Sequence, residues 1–156
     1  MPYFYEIVPA VDIIFIRHIG IVSTEDVCCQ FREIMRQRDF KPGMSLLFDH
    51  REEVPPDFGQ RLENHPRQND EMYQIRLKEM FNLLEGVKMA CIIDKKLVGY
   101  FESMISAAKN IDAIESNVFF DVEQAKDWLG IPTTFETEGT LRNIIYAGGC
   151  SSSNPI

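Results

Sequence analysis

The sequence predicts an α/β fold: an N-terminal β-hairpin followed by αβαβαβα, giving a mixed, mostly parallel sheet with helices packed on it. Three observations carry this. Two runs rich in Tyr, Ile, Val and Phe open the chain, Tyr3–Val8 and Val11–Ile16, separated by Pro9-Ala10. Short, continuously apolar runs then alternate with segments of helical period, the pattern that builds a parallel sheet through right-handed crossovers. Cap signals mark the helix ends. A length of 156 residues and 18.0 kDa suits one domain.

Each element has its own justification. Ile13-Ile14-Phe15-Ile16 has no polar alternate, so this strand is expected to be covered on both faces, by helices on one and a partner subunit on the other. Ser23-Thr24-Glu25-Asp26 reads as a capping box with Ser23 as N-cap, and Val27, Phe31, Ile34 and Met35 form the apolar stripe of the helix behind it. Lys41-Pro42-Gly43 stops that helix, and Met44–Phe48 is the next strand. Asp49 to Asn69 is polar and carries three prolines, so it reads as a long loop. Tyr73, Leu77, Met80, Phe81 and Leu84 restore helical period over Asp70–Glu85, ended by Gly86. Lys88–Ile93 is a strand, Leu97 to Ala108 a helix, and Asn117–Phe120 a short strand. Asp121 caps a last helix through Val122, Ala125, Trp128 and Leu129, which Gly130 and Pro132 close. The domain therefore spans 1–132. Residues 133–156 form a C-terminal extension, expected to be partly disordered, whose Ile144-Ile145-Tyr146 patch suits docking on a neighbour.

Composition excludes several classes. A net charge of −8, from 24 acids against 16 bases, argues against a general grip on nucleic acid or anionic lipid, since both require a basic face. The N-terminus lacks the basic and long apolar regions of a secretory signal. Val11–Val22, the most apolar stretch, is cut by Asp12, Arg17 and His18 and falls short of the ~20 apolar residues of a spanning helix. Cys28, Cys29, Cys91 and Cys150 contain no CxxC and no secreted disulfide spacing, so reduced thiols in the cytoplasm are expected, with Cys28 and Cys91 as small core hydrophobes.

Candidate chemistry is sparse. The Asp49–Asp70 segment gathers His50, Glu52, Glu53, Asp57, Glu63 and His65, a set competent for a divalent metal. Neither HExxH nor EF-hand spacing is present, and solvated loop acids account for the composition equally well, so no metal is assigned. Cys91 in mid-strand and His18 near a strand end fall short of a nucleophile with its base, and a buried structural cysteine is the reading taken. No GxGxxG and no phosphate loop occurs, so no cofactor is implied. Met80, Phe101 and Met104 are placed to line an apolar pocket, although stripes of this kind more often form core.

Gly20-Ile21-Val22-Ser23-Thr24-Glu25-Asp26, Leu46-Leu47-Phe48-Asp49, Lys88–Asp94 and, most specifically, Phe119-Phe120-Asp121-Val122-Glu123-Gln124-Ala125-Lys126-Asp127-Trp128-Leu129-Gly130 give the chain a family likeness over about residues 3–130. In these residues and in element order it resembles the STAS fold of anti-sigma-factor antagonists, and more closely the SpoIIAA-like branch often grouped with Sec14-type lipid-binding proteins. The resemblance implies a cytoplasmic, non-catalytic regulatory module that binds a protein partner; the alternative is a small carrier holding a fatty acid or similar apolar molecule between helices and sheet. It also implies a partner-facing switch loop at Asp49, His50, Asp57 and Phe58. In such antagonists a serine follows an aspartate there and is phosphorylated. Here Phe58 follows Asp57, and no serine or threonine occurs from Leu46 to Glu102, so that switch has no acceptor. A homodimer through the hairpin or the C-terminal segment, with no nucleic acid and no membrane insertion, completes the expectation.

Overall fold

The computed structural model describes residues 3–54, 86–99, 114–132 and 134. Its elements are strand β1 (Tyr3–Val8), β2 (Ile13–Gly20), helix α1 (Thr24–Met35), β3 (Ser45–Glu53), β4 (Val87–Ile92), β5 (Ile114–Phe119) and helix α2 (Val122–Leu129). The five strands lie in the order β1-β2-β3-β4-β5, with β1 antiparallel to β2 and every later pair parallel. The mixed α/β sheet is thus present. The helices expected over 70–85 and 97–108 lie outside the described residues, apart from the start of the second.

The hairpin turns through a short 3-10 helix, Pro9–Val11, and Asp12, whose φ of 55° is left-handed. Aspartate tolerates that conformation better than most residues, and it moves the start of β2 two residues beyond the expected Val11. At α1, Ser23 Oγ accepts from the Asp26 amide at 3.1 Å and Asp26 Oδ2 accepts from the Ser23 amide at 2.9 Å. This is the anticipated capping box. At α2, Asp121 accepts from the Glu123 amide, and Gly130 ends the helix at φ 75°, a conformation open to glycine at little steric penalty.

Strand alternation sorts the core into two layers. Ile14, Ile16, Leu46, Phe48 and Met89 face α1 and meet Cys28, Phe31 and Ile34. Ile13, Phe15, Leu47, Ala90 and Ile92 face the other way and meet Val122 and Ala125 of α2, with Trp128 alongside. Both faces of Ile13–Ile16 are therefore covered within the chain, and this strand needs no partner subunit to bury it. Cys28 and Cys91 are not in disulfides and pack in or against the α1-side core, whereas Cys29 is disulfide-bonded. That corrects the expectation of uniformly reduced thiols. Among the described residues, no helix is long and apolar enough to cross a membrane.

The chief departure is β3. The sequence ends this strand at Phe48, because Asp49-His50-Arg51-Glu52-Glu53 is wholly polar, yet pairing with β2 continues to Glu53. The register shifts on the way: Arg17 pairs with Asp49, but Ile19 pairs with Glu52, so His50 and Arg51 together stand opposite His18. This is a β-bulge, one extra residue that reverses side-chain alternation beyond it. Without it, Glu53 would face away from His50. With it, Glu53 pairs with Gly20 on the same side as His18 and His50.

Candidate functional site

The carboxyl ends of β2 and β3 carry a buried polar cluster on the α1 side. His18, His50 and Glu53 are 3%, 3% and 6% exposed, and Gln30 of α1 is wholly buried above them. Glu53 Oε2 lies 2.7 Å from His50 Nδ1 and 3.4 Å from His18 Nδ1. His18 Nε2 lies 3.1 Å from Gln30 Oε1. The rings are fixed by packing: His50 stacks on Phe48 at 5.4 Å, and His18 meets both rings edge-on.

Electrostatics follow from this geometry. Burial alone would raise the Glu53 carboxyl, but hydrogen bonds from His18 and His50 and their positive charge outweigh it and bring the pKa to about 2. His50 is held below the ordinary imidazole range, chiefly by burial, with His18 adding to the effect and Glu53 partly offsetting it. Cys91, on the neighbouring strand, is pushed up to about 12 by burial and then by the charge of Glu53. A thiol in that state is no nucleophile at neutral pH.

The opposite side of the same strand ends carries ion pairs. Asp49 is grasped by Arg51, whose Nε and second guanidinium nitrogen donate to the two carboxylate oxygens at 2.9 and 2.8 Å. Burial pushes the Asp49 carboxyl up, yet the Arg51 hydrogen bonds and the charges of Arg51 and Arg17 leave it below the usual range. Arg17 pairs with exposed Glu52. Beyond the strands, Ile21 and Val54 are each 52% exposed, and the Val54 amide donates to the Gly20 carbonyl at 2.8 Å, which joins the ends of β2 and β3 at the rim.

Of the residues singled out in the sequence, Asp49 and His50 belong to β3 rather than to a loop, and they point to opposite faces. Asp57, Phe58, Glu63, His65, Met80, Phe101 and Met104 lie outside the described residues. His18 meets Glu53 and Gln30 rather than Cys91, and among the described residues Cys91 has no hydrogen-bond partner. Sequence reading passed over Gln30. The signal was there: Gln30 falls at helical spacing between Val27 and Ile34, a lone amide in an apolar stripe. Glu53 stands in the sequence among the metal-competent polar residues after Phe48, but nothing there places it beside His18, because the bulge leaves no mark in residue type. Comparison with known proteins finds no matching family model, no matching curated protein and no matching solved structure.

Proposed function

We propose that this chain is a non-catalytic binding module of the STAS-like kind, whose working surface is the carboxyl end of β2 and β3. The observation that carries the reading is the exposure of Ile21 and Val54 just beyond β2 and β3, at strand ends that also carry Arg17, Arg51 and Glu52 and where open α/β sheets commonly bind. An apolar centre with a charged rim suits a protein partner. Supporting it, Asp49 is committed to Arg51, and the Cys91 thiol stands at about 12. With no serine or threonine between Leu46 and Glu102, binding at this end is not switched by phosphorylation of either residue type there.

The test is affinity capture from the native host with the wild-type chain and with Ile21→Glu/Val54→Glu, whose folding is checked by thermal melting. A protein captured stoichiometrically by the wild type and lost by the folded variant supports the reading. Equal capture by both overturns the placement. A co-purifying fatty acid in native mass spectra, with no such protein, replaces the module by the carrier.

A further inference from the structure

We propose that His18, His50 and Glu53 form a binding site for a divalent transition-metal ion, with zinc as its representative. This goes beyond the partner-binding reading and does not depend on it. One ligand atom from each residue, an imidazole nitrogen of each histidine and a carboxylate oxygen, all lie within 4.8 Å of one another, and Nδ1 of each ring faces Glu53 Oε2. They come from two adjacent strands, and the third is present on this face because the bulge in β3 turns it there.

Hydrogen bonding around His18 points to a cation. Its Nε2 donates to Gln30 Oε1, so a neutral His18 keeps its proton on Nε2 and presents the Nδ1 lone pair to Glu53 Oε2, 3.4 Å away. In that neutral tautomer two acceptors face each other in a site closed to solvent, unless His18 takes a second proton on Nδ1 and donates it to Glu53 or a cation lies between them. A metal ion between them takes both lone pairs. Gln30 meanwhile is completely buried, and its Nε2 has no partner, so the amide is held as an acceptor for His18 while an N–H goes unsatisfied. An outer hydrogen bond on the far nitrogen is what orients a metal-binding histidine. The rival arrangement turns the amide over, moves the His18 proton to Nδ1 and leaves a purely protonic cluster.

Distances agree with the ion. Zinc–nitrogen bonds of about 2.0–2.1 Å place tetrahedral neighbours roughly 3.3–3.5 Å apart. His18 and Glu53 already stand at 3.4 Å, while His50 and Glu53, at 2.7 Å, open slightly to admit it. Two imidazoles and one carboxylate favour zinc, cobalt, nickel or ferrous iron over magnesium or calcium, which prefer all-oxygen shells. Among the described residues there are three protein ligands, and a fourth position is left for water or another donor.

The experiment uses the full chain without a polyhistidine tag, stripped with chelator, then titrated with zinc against a chromophoric competitor and with cobalt by visible absorption. Expected are one zinc per chain at micromolar protein, a higher melting temperature with zinc, and cobalt bands of a four-coordinate site without a thiolate charge-transfer band. Gln30→Leu should weaken zinc about 10–100-fold, and His50→Ala with Glu53→Gln should abolish stoichiometric binding. Absence of stoichiometric zinc or cobalt binding by the wild-type chain overturns the proposal and leaves the protonic cluster. Should the double variant fail to fold, the cobalt spectrum decides alone: a thiolate charge-transfer band, or no band, overturns the site.

Discussion

The two faces of the sheet handle charge differently at the same strand ends. On the α2 side, Asp49 with Arg51 and Arg17 with Glu52 are pairs in which at least one member reaches water, with Arg51 at 36% side-chain exposure and Glu52 at 53%. On the α1 side, the carboxylate and both imidazoles are sealed. Solvent screens the first set, so its pairs add little to stability. Nothing screens the second, so each member depends on the others. A charged residue therefore weighs less by its type than by the face it is turned to.

The largest expected effect tests this directly. In chelator-treated protein, Glu53→Ala leaves two buried imidazoles without their acceptor and should destabilise by about 3–5 kcal/mol. Leu47→Ala, in the apolar layer under α2, should lose about 2–5 kcal/mol through its cavity. Denaturant unfolding measures both, and acid separates them. Glu53 is depressed from 4.5 to about 2, so its contribution is full above pH 4.5 and is lost as pH falls toward 2. His50, lowered from 6.5, works in the same direction, and loss begins as pH drops below 6.5. The wild type and Leu47→Ala should lose stability in parallel through this window. In Glu53→Gln the limb below pH 4.5 should shrink to what Asp49 contributes; an unchanged limb would mean that Glu53 is not the group that titrates.

Smaller effects sharpen the contrast. Ser23→Ala removes one half of the capping box at the start of α1 and should lose about 1 kcal/mol in the same assay. Arg17→Ala, at the water-facing pair, should change stability by less than about 1 kcal/mol, and less still at high salt. A loss from Arg17→Ala as large as that from Glu53→Ala would erase the distinction between the faces.

Much of the framework was legible in the residues, because local chemistry wrote it. Ser23 with Asp26, and Asp121 with Gly130, name their helix ends through hydrogen bonds made within a few residues. The four consecutive apolar residues from Ile13 announced a strand buried on both sides, although the cover proved to be the chain's own α1 and α2 rather than a second subunit. The cluster was less legible. Asp49 through Glu53 reads as loop because polarity outweighs strand propensity when burial is unknown, yet β2 pairs with it. Strict alternation then sends His50 and Glu53 to opposite faces, and only the pairing partner reveals otherwise.

The bulge also has a genetic meaning. Losing a single codon at Arg51 or Glu52 would remove the surplus residue and restore regular alternation with Glu53 two places after His50, on the same face and still opposite Gly20. The cluster should therefore survive that shortening of β3, whereas the full-length strand keeps it only while the bulge persists.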